Sequence, residues 1–454
     1  MDEVKTSDNE IVIVGGGITG LSAAYMAAMD GKRVIVIEAT DTFGGLLNTF
    51  KIGNSRLEHF YHHFFTHDVE LNWLIRELNI DHKLTYSKTS MGVLKNGRIY
   101  NFNTISDLIR FKPISFTDKI RFGLTSLYLG KFAKWRKYEQ ISCMEWFGKW
   151  AGKSTTSSLW APLLNIKFGP YATKVPLSWM IGRLRQRMNS RKNGDERLGY
   201  LEGSLQVMLD ALLGKLKDLN VVLIKNSPVE RICLHNNKVQ SILTKNGEIR
   251  GKKFLFTIPG VVLGNLLRND RPKLAVTLDS IKYFGAVCVI LELDRPLSHI
   301  YWLNIADSGF PFGGIIEHTN FIDPVKYGGS HIAYLSRYFS MEEKIATMEN
   351  TEIKELMLQL LPKIYSGFSN EWIKNIFVFK TNAAATVCDL QFSKKVPNCQ
   401  TPINNLFIAN MSHIYPDERS TNNSIRVSAE ACRMMGITTD YIPKSRSLAG
   451  KIGF

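Results

Sequence analysis

No CxxC pair occurs in this chain. Its six cysteines, Cys143, Cys233, Cys288, Cys388, Cys399 and Cys432, are scattered. That excludes a zinc site built on paired thiolates and a disulfide framework, and it predicts a reducing compartment. No uninterrupted apolar run reaches the roughly 18 residues that a spanning helix needs. Residues 1–10 lack the basic start and apolar core of a signal peptide. The expectation is a cytoplasmic protein, at most peripheral at the inner face of a membrane. Ser-His-Asp and paired-carboxylate signatures are missing, and so is any nucleic-acid motif. Acids are scarce as well: 41 Asp and Glu face 57 Lys and Arg, a net charge of +16. With nucleic acid set aside, this excess leaves an anionic membrane surface, an anionic small-molecule substrate or a generally basic exterior.

What is present begins with residues 11–38, IVIVGGGITGLSAAYMAAMDGKRVIVIE. Four β-branched residues, Ile11 to Val14, read as a strand buried on both faces. Gly15, Gly17 and Gly20 follow at GxGxxG spacing. Residues 21–29 are small and apolar, as in a helix packed on a sheet. Residues 34–37 are a second buried strand, closed by Glu38. Gly15 makes the tight turn, Gly17 lets the backbone approach a pyrophosphate, and Gly20 permits close helix–strand packing. Ile18 and Thr19 open the helix whose N-terminus offers N–H groups and a positive dipole to phosphates. Glu38 stands where a carboxylate accepts from ribose hydroxyls. Strand, glycine turn, helix and acid in this order make a dinucleotide site.

Just beyond the acid, Ala39 leads into a Gly44-Gly45 pair and Leu46. Together with residues 15–38 this resembles the FAD-dependent amine oxidase, protoporphyrinogen oxidase and phytoene desaturase superfamily. There the second glycine pair lies under the FAD diphosphate and ribityl chain. The resemblance implies FAD, and no Cys or His stands in a recognisable attachment pattern, so the cofactor is expected to be non-covalent. Val229 resembles the position where the family's backbone meets the adenine. Strand 405–411, then a turn, then a helix from 424 capped by residues 420–423, Asn423 included, resembles the last FAD motif, whose helix points at the flavin pyrimidine. The family has Ala-Gly and an acid after that strand. This chain has Ala409-Asn410-Met411, so the ribityl contact falls to Asn410 or Asp417.

The fold expected is α/β: a Rossmann-like FAD-binding domain interleaved with a mixed α+β substrate domain. Residues 8–90, 199–262 and 400–436 form the first and residues 91–198 and 263–399 the second, with 437–454 a mobile polar tail. Within the first, residues 68–78 read as an amphipathic helix. The resemblance implies that residues 58–65, EHFYHHFF, pass close to the flavin ring, where they line the pocket or pack beneath it. His59, His62, His63 and His67 lack partner acids or cysteines at ligand spacing, so no metal is expected. Residues 91–102 read as a hairpin turning at Asn96-Gly97.

Residues 109–138 mix aromatics with Arg110, Lys112, Lys119, Arg121, Lys131, Lys134, Arg136 and Lys137, against Asp118 alone. A membrane-surface helix has this composition; so does a solvated basic face. A further basic run holds Arg183, Arg185, Arg187, Arg191, Lys192 and Arg197, suited to gripping a diphosphate.

The resemblance implies an oxidoreductase moving a hydride between flavin N5 and an apolar or membrane-borne substrate of prenyl or tetrapyrrole type. The alternative is a non-redox flavoenzyme resembling UDP-galactopyranose mutase, in which the basic residues clamp a sugar nucleotide. No catalytic residue is fixed by a motif. His62, Tyr415 and Arg419 are candidates by their nearness to the expected ring.

Overall fold

The β-branched runs at 11–14 and 34–37 become neighbours in a parallel five-stranded sheet. Its order is Val222–Ile224, Val34–Ile37, Ile11–Val14, Lys253–Phe256 and Leu406–Ile408. The computed structural model describes residues 9–192, 195–445 and 448. Val12 pairs with Ile35 on one side and Phe254 on the other. Alternate residues then serve two cores, as the period of a strand demands. Ile11, Ile13, Val34 and Val36 pack under the helices Ile18–Met29, Gln206–Asp218 and Thr421–Met434. Val12, Val14, Ile35 and Ile37 pack against an antiparallel meander, Val229–His235, Lys238–Thr244 and Gly247–Arg250.

A second, seven-stranded sheet runs Ile373–Thr386, Tyr283–Leu293, His331–Phe339, Gly314–Glu317, Trp302–Ile305, then the hairpin Met91–Lys95 and Arg98–Asn101. Asn96 and Gly97 both take positive φ at the hairpin tip, the geometry that a two-residue turn between twisted strands requires. The strands Trp302–Ile305 and Ile373–Thr386 have no counterpart in the sequence reading. The amphipathic helix is Val69–Glu77, with Leu71, Leu74, Ile75 and Leu78 buried.

Between the hairpin and the return to the parallel sheet lies a helical layer. Phe116–Lys131 in this layer packs on Leu177–Asn189. The Ser115 hydroxyl caps the former by accepting from the Asp118 N–H. Among the described residues no helix is long and apolar enough to cross a membrane.

The mobile tail expected from 437 is corrected as far as 445. Ile437 and Ile442 join the core, Thr439 is buried, and Ser445 donates its N–H and hydroxyl to Glu70. Two isoleucines in a polar stretch suffice to dock it. Residues 1–8, 193–194, 446–447 and 449–454, and the side chains of Arg191, Lys192 and Asp195, lie outside the described residues.

Candidate active site

A cavity of about 820 Å³ reaches from the glycine turn of the parallel sheet to the helical layer, within the size range of ligand sites. Gly15, Gly17, Ile18 and Thr19 form one end, with Glu38, Gly44, Gly45 and Leu46 beside them. Gly15 has φ +113, and a Cβ built on Gly17 meets nothing within 4 Å. The turn therefore opens straight into the cavity. The Gly44 N–H donates to the Gly16 carbonyl at 2.9 Å, bringing the two glycine turns together. Helix Ile18–Met29 has neither a side-chain cap nor an acid in its first turn. Its N–H groups and positive dipole end are left for an anion. This cradle fits the diphosphate of FAD.

The Glu38 carboxylate is fixed at the cavity edge. It accepts from the Gly16 N–H at 2.8 Å and from the N–H and hydroxyl of Thr40 at 2.9 and 2.8 Å. Gly20 serves packing alone, because a Cβ there would lie 1.9 Å from the Gly15 carbonyl oxygen. At the far side Ser420 caps helix Thr421–Met434, and Ser420, Thr421 and Ser424 line the cavity.

Several candidates stand elsewhere. Ala39 and Val229 are not on the cavity wall; Val229 packs with the core beneath the meander. Between Asn410 and Asp417, only Asn410 lines the cavity. Its amide is engaged by Ser412 and the Ile258 carbonyl. Asp417 turns away, 3.3 Å from Arg426 and accepting from the Leu448 N–H. The Asn423 side chain donates to the Glu418 carbonyl, off the cavity wall. Tyr415 is a correction of another kind. It is buried off this cavity, and its hydroxyl is hydrogen-bonded to Ser178. Its aromatic ring packs edge-on against Trp135 and Phe392, so its closeness in sequence to Arg419 does not carry it to the site.

The EHFYHHFF segment delivers His59, Phe60, Tyr61, His62 and His63 to the wall. The His62 Nδ1 is 2.6 Å from the Phe60 carbonyl, so this nitrogen carries the proton and donates it. Burial pushes His62 down to about 4, aided by the Arg419 charge and opposed by that carbonyl. The ring is neutral near pH 7.

Opposite these rings stands a cluster of cations. Helix Leu177–Asn189 places Trp179, Met180, Arg183, Gln186 and Arg187 on one face, at spacings that fit its turn. Arg185 faces away and donates to the Ala133 carbonyl. Gly182 lets the next chain come close: a Cβ there would lie 2.0 Å from the Pro416 carbonyl oxygen. That approach brings Glu418 to 2.7 Å from Arg183 and 3.4 Å from Lys167. Arg419 donates to the Tyr338 hydroxyl rather than to a carboxylate.

Burial raises Glu418, but Arg183 and Lys167 outweigh it and hold the carboxyl well below its usual range. Burial pushes Lys167 down to about 7, with Arg183 and Arg419 acting the same way against Glu418. Lys167 and Arg183 thus share one carboxylate, with the Arg419 charge nearby. Further along, Arg187 pairs with Glu196 and Arg337 with Glu343. Lys167 and Glu418 carried no signal in the sequence reading, because the pair joins segments 251 residues apart.

Residues 18–416 match the family described as flavin containing amine oxidoreductase. The chain is 25% identical over 270 residues to "Probable flavin-containing monoamine oxidase A" of Dictyostelium discoideum, covering 57% of this chain and 59% of that one. It therefore spans less than two thirds of that relative. It is 22% identical over 429 residues to the 15-cis-phytoene desaturase of an Oncidium hybrid cultivar, covering 88% and 73%. The structure superposes on reduced UDP-galactopyranose mutase with a TM-score of 0.73 at 15% identity, covering 98% and 100%, a likeness of fold alone. By the extent of the family match and the cradle at its glycine turns, the chain belongs to the flavin-containing amine oxidoreductase family, whose cofactor is FAD.

Proposed function

We propose that the protein is an oxidoreductase for a substrate with a large apolar body and an anionic group, working with non-covalent FAD. The observation that carries this is the Lys167, Arg183, Arg419 cluster, which holds more positive charge than Glu418 cancels. When bound, FAD supplies the two-electron acceptor or donor for hydride transfer.

Gly15, Gly17, Gly44, Gly45 and the first turn of Ile18–Met29 receive the dinucleotide, with Glu38 held beside them. Arg183, Arg419 and Lys167 orient the anionic end of the substrate. Tyr61, Trp179, Trp302 and Tyr338 line the same cavity and give the apolar body its surface. His62, neutral at pH 7, adds no charge and keeps a lone pair on Nε2 to accept a hydrogen bond.

Both carboxylated tetrapyrrole and prenyl phosphate compounds have this character. A protonated amine does not: it would bring a further cation to a site already in excess, which costs binding. The same cations favour a second reading, a sugar nucleotide held by its diphosphate and rearranged without net electron flow.

The test is a binding panel read by perturbation of the flavin absorbance. Porphyrinogens, prenyl diphosphates and sugar nucleotides are compared with neutral and amine analogues. Anionic ligands should bind, and Arg183→Met should weaken them by about 10- to 100-fold, the worth of about 1.5–3 kcal/mol for a charged hydrogen bond. Tighter binding of amines than of anions would overturn the reading.

A further inference from the structure

Helix Phe116–Lys131 is held to the protein by one face only. Leu129 and Gly130 are buried, with a Cβ on Gly130 only 2.0 Å from Met188 Sδ. Asp118, the acid of this helix, turns inward and accepts from the N–H and hydroxyl of Ser154. The opposite face is apolar and bare. Phe116 (69% exposed), Ile120, Leu124 (63%), Leu127 and Tyr128 follow one another along it at helical spacing. Ile105 and Ile109 from the preceding helix Ile105–Arg110, Phe132 (67%) and Trp150 extend the exposed apolar surface of this layer. Water-facing apolar surface costs about 25 cal/mol per Å², and a clustered patch of this kind marks an interaction site.

The charges around it identify the partner. Arg110, Lys112, Lys131, Lys134, Arg136 and Lys137 are exposed, as are Lys149 and Lys153. Between residues 105 and 153 the only exposed acid among the described residues is Glu145. A second copy of this chain would set cation against cation in a symmetric contact, on a molecule of net charge +16. Nucleic acid would leave the apolar stripe in water. An anionic bilayer satisfies both, with side chains in the acyl boundary and cations among the headgroups.

We propose that this helical layer docks the protein on an anionic lipid surface, without crossing it. The docking stands on the patch itself. Its use rests on the proposed function: helix Phe116–Lys131 packs on Leu177–Asn189, whose other face supplies Trp179, Arg183 and Arg187 to the cavity. The docked face and the cavity thus share a wall, which suits an amphiphilic anion drawn from the bilayer.

The experiment is co-sedimentation of the flavin-loaded protein with vesicles of phosphatidylcholine alone or with phosphatidylglycerol added. Two variants are compared: Phe116→Ser/Leu124→Ser/Phe132→Ser, and Lys131→Gln/Lys134→Gln/Arg136→Gln/Lys137→Gln. The wild type should bind only the anionic vesicles and release them at high salt. Each charge removed should weaken binding about fivefold, and the apolar variant should bind at least tenfold more weakly. All altered side chains are exposed, so flavin content should hold; should the apolar variant misfold, the charge variant decides alone. Perturbation of the flavin absorbance by inorganic pyrophosphate, a water-soluble anion, should be equal in all three proteins, which separates a failure of docking from a failure of the enzyme reading. Equal binding to neutral vesicles, no binding at low salt, or a wild-type dimer that Phe116→Ser dissociates would each overturn the proposal.

Discussion

Arg183 Nη1 stands 2.7 Å from Glu418 Oε2, joining a helix of the helical layer to the turn before the last helix, 235 residues away. This ion pair ties the cation-lined side of the cavity to the segment that leads into helix Thr421–Met434. It also sets the charge of the site, since Glu418 serves Lys167 at the same time.

Removing the carboxylate leaves two partly buried cations unpaired. Glu418→Gln is expected to lower stability by up to about 3 kcal/mol, the low end for breaking a buried ion pair, because the cavity admits water. Urea unfolding checks this. The pH dependence has a definite sign. The folded-state value of Glu418 lies below its unfolded one, so between the two the unfolded chain binds more protons. The contribution is full above the ordinary glutamate range and is lost as pH falls below it. Glu418→Gln should lack that part of the acid slope. A variant as stable as wild type with the same slope would show that the pair contributes nothing to stability.

Lys167, at about 7, should make anion binding pH-dependent. Below pH 7 it is charged and helps; above, it is neutral and the affinity should fall by about tenfold, the worth of one charged contact. Arg183, raised further by Glu418, stays charged throughout, so binding persists. Binding titrations between pH 6 and 8.5 on wild type and Lys167→Met decide it. The variant should be flat over this range, and a variant with the wild-type slope would assign the titration elsewhere.

At the other end of the cavity, Glu38→Ala removes the acceptor of three hydrogen bonds that shape the glycine turn. FAD affinity should fall by roughly 1–3 kcal/mol. Gly17→Val fills the open space at the turn and should fall further. Flavin occupancy after gel filtration measures both. Full occupancy in the two variants would contradict the assignment of the cradle.

Tyr415→Phe should leave turnover unchanged and cost about 1 kcal/mol of stability, the net worth of the hydrogen bond to Ser178. A large loss of turnover with stability intact would restore Tyr415 to the site.

The glycine turn, Glu38, the hairpin at Asn96-Gly97 and the Ser420 cap were all legible, because each follows from local backbone chemistry within a few residues. The cation cluster was legible only in part. Arg183 and Arg187 lay in a basic run, but which arginines face inward depends on the helix phase, and Arg185 points the other way. Lys167 and Glu418 meet only through the close approach of Gly182 to Pro416, a tertiary contact with no sequence signature. Tyr415 differs for the same reason: it lies in the core, while Glu418, three residues on, stands on the cavity wall. Ile437, Thr439 and Ile442, buried in an otherwise exposed stretch, show how little apolar content can dock a polar segment.

Turnover as proposed moves electrons through the bound cofactor. The direct measurement is anaerobic mixing of the flavin-loaded protein with each anionic candidate, following absorbance near ~450 nm and product mass together. The flavin should bleach on mixing and recover when an acceptor is admitted, with a product changed by two hydrogens per cycle. An isomerised sugar nucleotide of unchanged mass, formed with no acceptor consumed, would contradict it.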